Sequence, residues 1–251
     1  IICAPIPDGS ESTKTVVADR RDNAMQPRLL GQLGLADLVT VANAALGFVA
    51  VALAVVDPGL AARLVLLAAI ADGLDGVVAR IRGGTAVGPY LDSLADVASF
   101  GVAPAVLVYV VATEGSVSGT VSPRFVATVA VPAIYVALAV VRLGFYTLHD
   151  SDTPETEGVQ TTLAATLLAA GYLAGVTDWV VLLVATALFS YLMAARITYP
   201  DLYARDAAVL GGLQLLAVLF PATASRVFPR TLLLFAVAYL VLAPFFYWRE
   251  V

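Results

Sequence analysis

Eight apolar runs, at about 38–57, 59–82, 90–113, 124–148, 160–175, 177–195, 206–221 and 229–248, leave this chain one class of fold. Most are long enough to cross a hydrocarbon layer of roughly 30 Å as a helix. Inside such a layer a segment must satisfy its own backbone polar groups, and a helix does so. The whole chain is 60% hydrophobic and 13% charged, where a soluble domain carries roughly 25% charged residues. The expected fold is therefore all-α, a polytopic transmembrane helical bundle of about eight spans. The runs at 160–175 and 206–221 are short for spans. No repeat with a period of tens of residues is visible, which sets aside solenoids and arrays.

Residues 1–27 are polar and unpatterned and are expected to form a disordered N-terminal extension. Met25 followed by QPRLLGQLGLAD reads as a plausible natural start. The competing reading, a lipid-modified Cys3, has too little apolar sequence before it for a signal peptide. With Cys3 the single cysteine, an intrachain disulfide and a cysteine zinc site are excluded. The net charge of −5 gives no support to nucleic-acid binding.

Basic residues favour cytoplasmic loops. With the N-terminus inside and eight alternating spans, Lys14, Arg20, Arg21, Arg28, Arg80, Arg82, Arg142, Arg196, Arg205 and Arg249 fall on or near the cytoplasmic side. Arg63, Arg124, Arg226 and Arg230 fall on the other. This orientation puts the cytoplasm beside the most unusual stretch of the chain, Asp72-Gly-Leu-Asp75-Gly76-Val-Val-Ala79-Arg80 followed by Gly88-Pro89-Tyr90-Leu91-Asp92-Ser93-Leu94-Ala95-Asp96.

An acid in a bilayer is costly unless paired or metal-bound, so intramembrane carboxylates point to function. Asp72 and Asp75 are spaced i, i+3, and Asp92 and Asp96 i, i+4, so each pair shares one helix face. The turn Arg82-Gly83-Gly84-Thr85, with a helix restart at Gly88-Pro89, would set the two pairs opposite each other. Such hard oxygen ligands suit Mg²⁺, Mn²⁺ or Ca²⁺. Two such ions suit phosphoryl displacement. Gly76 and Ala79 leave room beside the first pair, and Arg80 adds a fixed positive charge suited to phosphate.

The stretch resembles the motif of CDP-alcohol phosphotransferases, D-x2-D-G-x2-A-R-x8-G-x3-D-x3-D. Asp72, Asp75, Gly76, Ala79, Arg80, Gly88, Asp92 and Asp96 match its fixed residues, with one residue fewer between Arg80 and Gly88. The resemblance implies Asp72, Asp75, Asp92 and Asp96 as ligands of two divalent ions, Mg²⁺ or Mn²⁺. It implies Asp96 also as general base toward an acceptor alcohol. Gly76, Ala79, Arg80 and Thr85 would contact a CDP-linked lipid. Asp37 and Thr40, at the start of the first span, either join that site or only cap the helix.

The flank Asp92-Ser-Leu-Ala-Asp96-Val-Ala-Ser99-Phe100-Gly101-Val-Ala-Pro104-Ala is similar to the phosphatidylserine and archaetidylserine synthase branch, and the first span, LGLADLVTVANAALGFVA, looks like its archaeal members, to which the Lys-poor composition also points. The resemblance covers roughly 28–200, the expected membrane core, and leaves 201–251 as two additional helices. It implies transfer from CDP-archaeol or CDP-diacylglycerol to L-serine with release of CMP, in a multi-pass cell-membrane protein whose active site faces the cytoplasm. Arg142 could hold a phosphate or the serine carboxylate, or could be an arginine snorkelling from a helix end. The chain departs from the branch in Arg142-Leu-Gly-Phe-Tyr146, which lacks a second Arg, and in Gly158-Val-Gln-Thr-Thr162. His149 reads as a solvated loop residue. A member acting on glycerol 3-phosphate or inositol phosphate is the nearest rival, and would need further basic residues. A divalent-cation transporter is a remote one, since it would repeat its acids in two halves. Small-residue helix faces permit a homodimer.

Overall fold

In the computed structural model the described residues are 33–113, 122–149, 155–200 and 204–246. The expected disordered extension over 1–27, with Cys3 and Met25, lies outside them, as do Arg28 and Arg249. The described residues form eight helices: α1 (Leu35–Ala54), α2 (Pro58–Arg82), α3 (Gly88–Thr113), α4 (Pro123–His149), α5 (Thr161–Ala174), α6 (Trp179–Met193), α7 (Ala204–Leu219) and α8 (Thr223–Phe246). They correspond one to one with the apolar runs of the sequence. His149 closes α4 and is not in a loop as expected.

By length and composition α1, α3, α4 and α8 can each cross a membrane. The second helix has the length but carries acids and arginines. Helices α5, α6 and α7 have 14, 15 and 16 residues, a rise of roughly 21–24 Å. The shortfall is met by neighbours, since α5 is nearly all buried, packed against α2 and α8. Large apolar side chains such as Phe48, Leu148 and Leu234 are about 70% exposed on the outer faces, as lipid-facing positions are.

Helix α1 lies along α2, joined by the short turn at Val55–Asp57, with Asp57 accepting from Leu60 N (2.9 Å) to cap α2 and Pro58 at its first position. The buried face of α1 runs Asp37, Thr40, Asn43, Gly47, Ala50 and Ala54. Gly47 is the close-approach point: a Cβ there would stand 2.8 Å from the backbone N and Cα of Ser99 in α3. Ser99 Oγ donates to the Asn43 carbonyl (2.8 Å), fastening the same crossing. Around Ser99, over Val97–Val102, α3 widens into a π-helical stretch. The Phe100 carbonyl, whose α-helical partner would be the N–H that Pro104 lacks, accepts from the buried Tyr135 hydroxyl of α4 (2.9 Å). Such π segments occur often at functional sites.

Two short strands, β1 (Glu155–Glu157) and β2 (Thr198–Pro200), pair antiparallel and clip the α4–α5 connection to the α6–α7 connection. Tyr199 and Tyr239 hydroxyls donate to the Leu240 and Pro200 carbonyls (3.2 and 2.7 Å), tying the clip to α8. The sequence reading contained no strands.

Gly47→Ala forces α1 away from α3, because the obstructing atoms are backbone. It is expected to cost about 1–3 kcal/mol, read as a lowered thermal midpoint in detergent. A midpoint equal to wild type would show that the crossing has slack.

Candidate metal and active site

Helix α2 ends in Gly83, at φ +86, whose N–H returns to the Ala79 carbonyl (2.9 Å). Helix α3 restarts at Gly88-Pro89, so α2 and α3 run antiparallel from one tight connection. Asp72 and Asp75 sit about 15 and 10 Å from the end of α2 by helical rise, inside the bundle and not on its surface.

Asp72, Asp92 and Asp96 converge: one carboxylate oxygen from each lies within 4.8 Å of the others. Asp96 is buried, and Asp72 and Asp92 are half-buried. Among the described residues no Arg or Lys forms an ion pair with any of the four aspartates. One oxygen of Asp92, Oδ1, is buried without a hydrogen-bond partner. Buried carboxylates without a counter-charge are strongly disfavoured, and buried polar atoms are almost always satisfied. A cation at the convergence point resolves both, and the all-oxygen donor set fits Mg²⁺ or Mn²⁺.

The fourth aspartate is held apart from that trio. Asp75 accepts from Thr40 Oγ1 of α1 at 2.6 Å. It lines an open cleft of about 360 Å³ beside the trio, with Asp92, Thr40, Gly76, Ala79 and Thr85. Gly76 meets little: a Cβ there would come no nearer than 3.8 Å to anything but its neighbours, the closest atom being on Arg80. The Arg80 side chain is exposed near this mouth and is not among the residues that line the cleft.

Asp37 caps the helix and also ties it to the α2–α3 connection. Its Oδ2 accepts from Gly34 N (2.7 Å), a helix cap, and from Thr85 Oγ1 (2.8 Å), a tie to the α2–α3 connection. The glycine at 88 is explained here, since a Cβ would stand 3.2 Å from Asp37 Oδ1. Thr40 does not cap; its hydroxyl serves Asp75. Arg142 does not line the cleft, but its guanidinium carbon lies 5.6 Å from the ring centre of Tyr146, which does.

Several contributors escaped the sequence reading. Asn43, fully buried in α1, directs Nδ2 to Asp96 Oδ1 at 3.4 Å, while its own Oδ1 is buried without a partner. Its signal was available: Asp37, Thr40 and Asn43 form a polar i, i+3, i+6 stripe in an otherwise apolar run. Thr162 Oγ1 approaches Asp72 Oδ2 at 3.5 Å. Ser93 and Thr147 share a hydrogen bond at the cleft wall between α3 and α4. Nothing in local spacing marks Thr162 or Thr147, because each contact joins helices far apart in the chain.

An all-oxygen trio beside an open cleft, at one end of a membrane helix bundle, is suited to a cation and a phosphorylated ligand together. Residues 33–192 match the family model for CDP-alcohol phosphatidyltransferases. Over 173 residues, 67% of this chain and 70% of the relative, the sequence is 33% identical to a protein of Methanothermobacter thermautotrophicus named archaetidylserine synthase. A 54-residue stretch is 56% identical to the CDP-diacylglycerol–serine O-phosphatidyltransferase of Mycobacterium leprae, covering 21% of this chain and 18% of that one. The protein of that name from Mycobacterium tuberculosis is 44% identical over 78 residues, 30% of this chain and 27% of its own. The chain belongs to the CDP-alcohol phosphatidyltransferase family and is a multi-pass membrane enzyme of the CDP-alcohol phosphotransferase type.

Proposed function

We propose that this enzyme transfers an archaetidyl group from CDP-archaeol to L-serine, releasing CMP, at a site facing the cytoplasm. The observation that carries the reading is the convergence of Asp72, Asp92 and Asp96 beside a cleft lined by the remaining motif residues. Serine is favoured as acceptor because the relatives from both genera are named for it, and the archaeal lipid because the relative matched over most of its length is named for archaetidylserine. Glycerol 3-phosphate or inositol phosphate would bring a second phosphate and need basic groups beyond Arg80 and Arg142, and among the described residues none lines the cleft.

Asp72, Asp92 and Asp96 would hold one divalent ion, with Asp75 and Asp92 facing the cleft where a second could sit. Bound there, such ions neutralise the diphosphate and the charge that develops on it. The serine hydroxyl oxygen attacks the lipid-side phosphorus, the bond from that phosphorus to the CMP oxygen breaks, and the hydroxyl proton passes to the Asp96 carboxylate. A base positioned in this way contributes about 10²–10⁴-fold. Asn43 steadies Asp96, and Thr40 keeps Asp75 turned to the cleft. Gly76 and Ala79 leave space for the nucleotide against α2, with Thr85 and Arg80 at its mouth. Arg142, behind Tyr146, would stand toward the serine carboxylate.

Purified protein given a CDP-lipid and Mg²⁺ should release CMP with L-serine and stop when EDTA is added. Release with glycerol 3-phosphate or inositol phosphate in place of serine would overturn the acceptor assignment. Release that survives EDTA would overturn the metal.

Thr40→Val keeps the shape of the side chain and removes its hydroxyl from Asp75. A hydrogen bond to a charged group contributes about 1.5–3 kcal/mol to stability, so the thermal midpoint should fall, and turnover of the folded protein should fall by roughly 10–100-fold as the carboxylate loses its position. Unchanged turnover would remove Asp75's orientation from the mechanism. Gly76→Leu, in open space, should fold normally yet raise the KM for CDP-lipid; an unaltered KM would place the nucleotide elsewhere.

A further inference from the structure

The arginines expected on the side away from the aspartates run against the usual bias of basic residues toward the cytoplasm. The structure accounts for two of them. Arg124 lies 4.4 Å from the centre of the Trp179 ring and donates to the Ala112 carbonyl (3.1 Å). Arg230 Nε approaches the Ala174 carbonyl at 3.4 Å. The other two, Arg63 and Arg226, line a second cleft of about 360 Å³.

This cleft lies at the opposite end of the bundle from the aspartates. It is bounded by the start of α2, the end of α5 and the α7–α8 connection. Arg63 stands nine residues before Asp72 on α2, about 14 Å away by helical rise. Its Nε donates to the Val218 carbonyl (2.7 Å), which fixes the guanidinium plane and leaves the terminal nitrogens for the cleft. Arg226 reaches in from the first turn of α8, where Ala224, Ser225 and Arg226 hold φ of +45, +57 and +66, and Gly175 makes the room for it. Gly175 holds φ +106, and a Cβ there would stand 2.8 Å from Arg226 Nη1. Thr177 adds a hydroxyl to the lining. Asp57 is the one acid in the lining, and its Oδ1 is engaged as the cap of α2. Among the described residues neither arginine pairs with a carboxylate. Two guanidiniums against one carboxylate leave the cleft positive.

The surroundings are apolar and outward-facing. Val55 and Val56 precede Asp57, and Leu219 and Phe220 precede Pro221, at the two connections that frame the cleft; all four are about half to four-fifths exposed. A paired guanidinium site at a membrane end, collared by exposed apolar side chains, has the chemistry of a phosphate that carries acyl or alkyl chains.

We propose that the Arg63–Arg226 cleft binds the headgroup phosphate of a membrane phospholipid, at the membrane face opposite the aspartate cluster. This is a structural lipid site, separate from the CDP-lipid cleft, and it does not rest on which alcohol the enzyme uses.

The test uses the full chain in a neutral detergent, titrated separately with phosphatidylglycerol, with diacylglycerol of the same acyl chains, and with inorganic phosphate. Phosphatidylglycerol should raise the thermal midpoint by about 5 °C at saturation, and diacylglycerol and phosphate should leave it unmoved. Arg226 is exposed at the start of α8, so Arg226→Gln should keep the unliganded midpoint and lose at least half of the rise, while Arg226→Lys should retain most of it. An equal rise in wild type and Arg226→Gln would overturn the site. A rise reproduced by diacylglycerol would show that the phosphate is not read, and one reproduced by inorganic phosphate would overturn the lipid as occupant.

Discussion

Carboxylates gathered inside an apolar bundle, with no basic partner among the described residues, govern the rest of this structure. Asp72, Asp92 and Asp96 present their oxygens to one another within 4.8 Å. Left without a counter-ion such a group would spread apart or take up protons, since burying unpaired charge is far more costly than the few kcal/mol by which folds are stable. Three neighbouring elements hold it and Asp75 in place. Asn43 and Thr40 reach in from α1, Thr162 comes from the start of α5, and the α2–α3 connection is tied down through Thr85 and Asp37. The bundle therefore maintains, from several sides, an arrangement that its own charges oppose. That is the physical mark of a binding site, and it is what the family match leads one to expect.

Close approach of α1 to α3 is the packing condition for this arrangement. Gly47 allows the crossing, Ser99 fastens it, and the π-helical stretch at Val97–Val102 begins just after Asp96. Pro104 offers the Phe100 carbonyl no N–H and Tyr135 bonds it instead, so α4 is attached at the same level. One helical irregularity thus links the carboxylates to three helices. An unbroken α-helix would rotate everything beyond Asp96 relative to α1 and α4.

Much of the fold was legible because hydrophobic length and helical spacing are local properties. The apolar runs became the eight helices, and the i, i+3 and i, i+4 spacings put Asp72 with Asp75, and Asp92 with Asp96, on α2 and α3. The turn at Gly83 and the restart at Gly88-Pro89 followed from glycine and proline chemistry. What was not legible depends on partners distant in the chain. The π stretch is contacted by Tyr135 and Gly47 from other helices, and the strand pair joins segments some forty residues apart. Asp75 lies outside the trio and is bonded to Thr40, a residue of another helix. Helix α5 was hard to grade as a span because its shortness is made good by burial against α2 and α8, which its own sequence does not display.

The central claim is that the aspartates are held together for a divalent cation, and cation-dependent stability tests it most directly. In detergent, wild type should show a higher thermal midpoint with Mg²⁺ than with EDTA at matched ionic strength, because a ligand that binds only the folded state stabilises it. Asp92→Asn removes one of the clashing charges. It should match or exceed wild type in EDTA and respond little to Mg²⁺. A wild-type midpoint indifferent to Mg²⁺, or an Asp92→Asn protein that responds as strongly as wild type, would contradict the account.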